Sequence, residues 1–140
     1  MTEITPFPEY RTGDILPELR IPIDRTTIVA AALASQDFED VHHDPGKAQE
    51  RGTPDIFMSI NSTNGFVDRY LTTWSGPAAR ISSAKLRLGV PMFPGDDLTF
   101  SGEIIDDTLG ATVKVVGRNS RGVHVSGEVT VVPYNSGTTS

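Results

Sequence analysis

The sequence predicts an α+β domain in which one long helix lies against a strongly curved antiparallel sheet. Two observations point there. The C-terminal half alternates apolar and polar residues in successive stretches, as half-buried strands do. Ahead of them, Ile56, Ile60, Val67, Leu71 and Trp74 keep helical spacing over a single long segment. The order, a short strand, then helices, then four strands joined by tight turns, gives hairpins rather than parallel crossovers.

The elements follow in chain order. Met1 to Tyr10 is polar and Pro-containing, and is expected to be loose unless a partner holds it. Leu19 to Ile23 has strand character, and Pro22 places it at a sheet edge. Asp24 or Thr26 can N-cap a helix through residues 27–35, with Ile28, Ala31, Ala32 and Ser35 on one stripe. Asp44-Pro45 reads as N-cap and first-turn proline of a short helix that Gly52 ends. Pro54-Asp55 opens the long helix, expected from Ile56 to about Trp74. Its middle, Asn61-Ser62-Thr63-Asn64-Gly65, is poor in helix formers, so packing must hold it. Ser75-Gly76-Pro77 stops it. Ala84, Leu86, Leu88 and Val90 then alternate with Lys85, Arg87 and Gly89. Pro94-Gly95-Asp96-Asp97 turns the chain, and Leu98 to Ile105, Thr112 to Gly117 and Val123 to Val132 complete the strands. Asp106-Asp107 and residues 118–122 are hairpin turns. An antiparallel sheet of this kind has an open edge and uncovered apolar surface, which a second subunit would cover.

Gross composition narrows the function. With 140 residues the chain is one domain in size, set at residues 1–134 with a flexible tail at 135–140 (Asn-Ser-Gly-Thr-Thr-Ser). It contains no Cys, which excludes disulfides, thiolate metal sites and thiol nucleophiles. The first ten residues lack the basic end and apolar stretch of a signal peptide. No segment approaches the roughly 20 apolar residues of a membrane span. The expected place is the cytoplasm, with no membrane partner. A net charge of −6 argues against nucleic acid. An anionic ligand would need a local basic patch, for which Arg80, Lys85, Arg87, Arg118 and Arg121 are the candidates. There is no Gly-x-Ser-x-Gly elbow, no phosphate-cradling glycine loop and no metal-ligand spacing, since His42 and His43 are adjacent.

The chemistry concentrates in Asp37-Phe38-Glu39-Asp40-Val41-His42-His43-Asp44. An acid stands five residues before a His, at the end of an apolar helix, and a polar turn follows. Carboxylate and imidazole can hold one water between them, and both move protons near neutral pH. Each residue also has a plain structural reading: Asp37 as a helix-terminal cap, His42 as a satisfied core histidine. Asp44 reads best as the cap before Pro45. Glu39 and Asp40 read as polar loop residues, either able to orient His42. His43 is expected to be exposed, and His124, among polar neighbours on a strand, to face solvent.

These residues resemble the MaoC-like, R-specific enoyl-CoA hydratase family, whose fold is the hotdog. The family pattern runs Asp, any, Asn, Pro, an aliphatic, His, any, Asp, then Ala, then Gly. Asp37, Val41, His42, Asp44, Ala48 and Gly52 fall in register. Leu88-Gly89-Val90-Pro91-Met92-Phe93-Pro94-Gly95-Asp96-Asp97-Leu98 is similar to the family's strand, Pro-Gly-Asp turn and strand. Together the similarity spans residues 28–132. Two departures stand out: the family's Asn-Pro is Glu39-Asp40 here, and its later His-Gly is Ser59-Ile60. These variations most resemble small subunits of actinobacterial steroid side-chain enoyl-CoA hydratases, where two different MaoC-like chains pair.

The resemblance implies hydration of a 2-enoyl-CoA, the steroid side-chain thioester of cholesterol breakdown, with Asp37 and His42 holding and activating the water. Ser59 and Ile60 would bind substrate, the Ile60 N–H taking the place of the family's glycine donor at the thioester oxygen. Coenzyme A would be part of the substrate, with no separate cofactor or metal. A second MaoC-like chain would complete a heterodimer or heterotetramer. Two rivals stay open: a hotdog thioesterase, for which Asp68 is the only acid inside the long helix, and a non-catalytic pairing subunit.

Overall fold

The structure, a computed structural model, describes residues 6–133. The tail expected at 135–140 lies outside the described residues. In chain order the elements are β1 (Ile15–Ile23), α1 (Arg25–Ala34), a 3₁₀ turn (Asp40–His42), α2 (Pro45–Glu50), α3 (Ile60–Ser75), β2 (Ala79–Leu88), β3 (Asp96–Asp106), β4 (Ala111–Asn119) and β5 (Gly122–Pro133). All strand pairs are antiparallel and the sheet runs β1-β3-β4-β5-β2. Pro22 sits on edge strand β1, as its missing N–H requires.

Alternation decides which face is inside. Leu98, Phe100 and Ile104 on β3, Val113 and Val115 on β4, and Val125, Val129 and Val131 on β5 are buried on the concave face. α3 fills that face with Val67, Tyr70 and Leu71, and the Tyr70 ring stacks on Phe100 at 5.4 Å. Each such large apolar side chain contributes about 1.5–3 kcal/mol by leaving water. The Tyr70 hydroxyl donates to the Pro17 carbonyl (2.9 Å), and its burial pushes the phenol up to about 12. The register of all four strand pairs is interrupted by one-residue irregularities, which bend the sheet around the helix.

Local signals set most of the ends. The Asp24 carboxylate caps α1 by accepting from Thr27 N–H (2.7 Å), and Asp44 caps α2 by accepting from Lys47 N–H (3.1 Å). Gly76 closes α3 with φ +73°, a conformation that favours glycine.

Two expectations are corrected. α3 does not start at Ile56 but at Ile60, because residues 57 and 58 are tied to other segments by backbone hydrogen bonds. Phe57 N–H donates to the Val41 carbonyl (3.2 Å) and Met58 N–H to the Met92 carbonyl (2.9 Å). Ser59 then provides the cap, its hydroxyl accepting from Ser62 N–H (3.2 Å). Asn61 to Gly65 therefore fall in the first turns of the helix, where such residues are better tolerated than in its middle. Within the stretch expected to be loose, residues 1–5 lie outside the described residues, and two of the others are held in place. Phe7 and Tyr10 pack edge-on against Trp74, with ring centroids 5.7 and 6.5 Å away. Among the described residues, no helix is long and apolar enough to cross a membrane.

Candidate active site

The end of α1 delivers Asp37. Gln36 N–H donates to the Leu33 carbonyl (3.0 Å) and Asp37 N–H to the Ala32 carbonyl (2.9 Å), the paired bonds of a Schellman ending. Gln36 takes the left-handed position, φ +59°, which costs an L-residue about 1–2 kcal/mol. That turn reverses the chain and sets the Asp37 carboxylate over the 3₁₀ turn. There His42 N–H donates to the Glu39 carbonyl (3.1 Å), and the Val41–Phe57 backbone bond ties the turn to the segment leading into α3.

His42 is buried, and its Nδ1 lies 2.7 Å from the Phe57 carbonyl. A carbonyl only accepts, so Nδ1 carries a proton, and it is Nε2 that a neutral ring would present bare. Nε2 faces Asp37 Oδ2 at 3.5 Å. With the ring in its neutral form two acceptors face each other there, and a group donating to both, such as water, satisfies them. The Phe57 ring stands edge-on to the imidazole at 5.1 Å and shields it on that side. A hollow of about 490 Å³, lined by Gln36, Asp37, Phe38, Glu39 and Asp40, opens beside the pair.

The neighbouring polar residues are engaged elsewhere. Asp40 does not orient His42; it pairs with Arg51 at 3.3 Å, which pins α2 against the turn. His43 is exposed as expected. The Ser59 hydroxyl is buried and committed to Ser62, contacting both its N–H and its Oγ (2.8 Å). Ile60 is the first residue of α3 and 59% exposed. Its N–H belongs to the helix-end amides that have no carbonyl one turn back, where the helix dipole also favours negative charge. Among the basic candidates all five are exposed, and Arg121 lies over the Phe93 ring at 4.6 Å.

His124 departs from expectation. It is buried, with Nδ1 2.7 Å from the Val90 carbonyl and Nε2 2.8 Å from Thr63 Oγ1. Gly117 pairs with Val125 and Arg118 with Val123, so His124 is the surplus residue of a β-bulge and turns inward beside Val125. Alternation alone predicts the opposite face, and no residue type in the stretch marks the bulge. Among the described residues, no group of three or more His, Cys, Asp or Glu side chains is placed to hold a metal ion.

A family model described as MaoC like domain matches residues 11–132. The chain belongs to the MaoC-like family. Among MaoC-like relatives, it is 53% identical over 119 residues to the 3-oxo-4,17-pregnadiene-20-carboxyl-CoA hydratase beta subunit of Mycobacterium tuberculosis, covering 84% of this chain and 92% of that protein. The ChsH1–ChsH2 complex of the same organism contains a chain that superposes with TM-score 0.86 at 49% identity, covering 89% of this chain and 99% of that one. The (R)-hydratase from A. caviae involved in PHA biosynthesis superposes with TM-score 0.79 at 22% identity over 89% and 97% of the two chains, a likeness of fold alone. The curved sheet wrapped on α3 is the hotdog fold of these MaoC-like structures.

Proposed function

We propose that this chain is the water-activating subunit of a hetero-oligomeric enoyl-CoA hydratase acting on a steroid side-chain thioester. The observation that carries the reading is the Asp37–His42 pair, with Nδ1–H committed to Phe57 and Nε2 open toward the carboxylate. Adding water to a conjugated thioester needs a proton removed from water, a proton delivered to the α carbon, and donors at the oxygen where charge collects. A water donating to both Asp37 and His42 has its oxygen lone pair free for the β carbon. As the C–O bond forms, the pair takes one proton from the water. It returns one proton to the α carbon as the C–H bond forms, so the sum is addition of H₂O. The two groups act as a unit, and the proton belongs to the pair. The Ile60 N–H serves the thioester oxygen meanwhile. The step is redox-neutral and calls for no cofactor; coenzyme A arrives with the substrate.

The substrate class rests on the similarity to the pregnadiene-carboxyl-CoA hydratase subunit. The second MaoC-like chain rests on the similarity to a chain of the ChsH1–ChsH2 complex and on the shape of β2. That edge strand is mostly exposed and, with Ile60 of α3, presents Ile81, Ala84, Leu86 and Leu88 beside its unpaired backbone. The thioesterase rival has less support. Asp68, eight residues after Ile60, lies about 12 Å further along the helix axis, and it lines the β2 face instead.

The test is loss of enoyl-thioester absorbance with 3-oxo-4,17-pregnadiene-20-carboxyl-CoA, using the chain purified with its second MaoC-like subunit. Asp37→Asn and His42→Ala should each lower kcat by on the order of 10²–10⁴ while the complex stays assembled. Undiminished hydration by both variants would make this chain a pairing subunit, and release of free CoA thiol would make it a thioesterase.

A further inference from the structure

Three features lie outside the machinery described above. The apolar cleft of about 350 Å³ between α1 and α3 is lined by Ala31, Ala34, Gly65 and Phe66 with Arg69 among its polar neighbours, and nothing in the structure identifies an occupant. The β2 face belongs to the partner surface already described. The buried His124–Thr63 pair is different: two buried polar side chains, far apart in sequence, meeting at the first turns of α3.

Nδ1 of His124 faces the Val90 carbonyl and therefore carries a proton. Burial pushes the imidazole pKa down, so the ring is neutral and Nε2 is an acceptor. The single proton of the Thr63 hydroxyl is thus spent on Nε2 (2.8 Å), and its 3.3 Å approach to the Ser59 carbonyl is a contact only. The Thr63 backbone N–H donates to that same Ser59 carbonyl (3.0 Å). The Ser59 carbonyl and the Ile60 N–H are opposite ends of one planar peptide unit, so what holds one end aims the other.

The far end of the chain of contacts is rigid. Gly89 N–H donates to the His124 carbonyl (2.8 Å) and Val90 N–H to the Val123 carbonyl (2.9 Å), clamping the bulge from both sides. A Cβ at Gly89 would run into the Val123 backbone carbonyl, so only glycine allows this approach. From these directions we propose that His124, by anchoring the Thr63 side chain and so fixing the residue whose backbone N–H holds the Ser59 carbonyl, is a positioning residue that aims the Ser59–Ile60 peptide N–H at the thioester oxygen.

The proposal rests on the hydratase reading above, and the same assay separates the two. Thr63→Val removes the hydroxyl at nearly constant shape, Thr63→Ser keeps it, and His124→Asn removes the ring. Misaligning an oxygen-binding donor costs less than deleting it, which is worth on the order of 10²–10³. We expect Thr63→Val and His124→Asn each to lower kcat roughly tenfold with KM within about twofold, the mark of an interaction made in the transition state. Thr63→Ser should stay within about threefold of the parent. The double variant should be no slower than the slower single, because both cut one link. Full kcat in the two single variants, or losses that multiply in the double, would overturn the proposal. If circular dichroism shows Thr63→Val unfolded, His124→Asn decides by the same criterion. Failure of the parent complex to hydrate, or hydration undiminished by both His42→Ala and Asp37→Asn, defeats the hydratase reading and this inference with it. Hydration abolished by His42→Ala but untouched by Thr63→Val defeats this inference alone.

Discussion

At the scale of single residues, the two buried histidines show how much a hydrogen-bond partner decides. His42 and His124 each have Nδ1 against a backbone carbonyl, which sets the same tautomer in both. What faces Nε2 separates them: a partly accessible carboxylate for His42, a buried threonine hydroxyl for His124. His124 also yields a pH prediction. Desolvation holds its folded pKa below the ordinary 6.5, so below that value the unfolded chain binds more protons than the folded one. This stabilising contribution is complete above pH 6.5 and is lost as pH falls toward the lowered folded value. Urea unfolding at pH 7.5 and 5.5 should show a larger drop for the parent than for His124→Asn. Equal drops would mean that His124 titrates as it does in the unfolded chain.

At the scale of elements, boundaries obey caps and tertiary pairing together. The caps at Asp24 and Asp44 and the stop at Gly76 were legible because each is a local device with a residue type attached. The start of α3 was not. Ile56 keeps helical phase with Ile60, and only the pairing of residues 57 and 58 with Val41 and Met92 forces the chain to run extended to Ser59. The strands were legible by alternation, whereas the bulge at His124 was not, since one surplus residue leaves the pattern on either side intact. The β2–β5 pair carries a second steric requirement. A Cβ at Gly127 would meet the Lys85 carbonyl and Leu86 Cα on the neighbouring strand. Gly127→Ala should therefore destabilise the fold by about 1–3 kcal/mol in urea titration, the range of an overpacked core. An unshifted midpoint would mean that β2 can slide without penalty.

At the scale of the whole molecule, the sheet is finished on one side and unfinished on the other. β1 closes its edge with Pro22 and with the Arg20–Asp97 ion pair to β3 (2.8 Å). β2 offers ten residues of edge with Leu88 39% exposed, next to Ile60. Such an edge invites pairing, and its Lys85 and Arg87 alternate with the apolar Ala84, Leu86 and Leu88 rather than interrupting them. Leu88→Glu should leave the stability of the isolated chain within about 0.5 kcal/mol, as exposed substitutions do. It should also weaken association with the second MaoC-like chain at least roughly tenfold, read by size-exclusion chromatography with light scattering. Association at parental strength would move the interface away from this strand.

The amino-acid sequence by itself determined the α+β class, the order of elements and the pairing of an acid with a histidine five residues on. Those properties are carried by periodicity, caps and spacing, all local. Tertiary structure decided which His42 nitrogen is committed to a backbone carbonyl, because the Phe57 carbonyl it meets lies fifteen residues away. It also moved the start of α3, turned His124 inward to meet Thr63 across sixty-one residues, and left β2 uncovered. Each of these depends on which backbone groups find partners once the sheet has closed around the helix, and no window of sequence contains both members of such a pair.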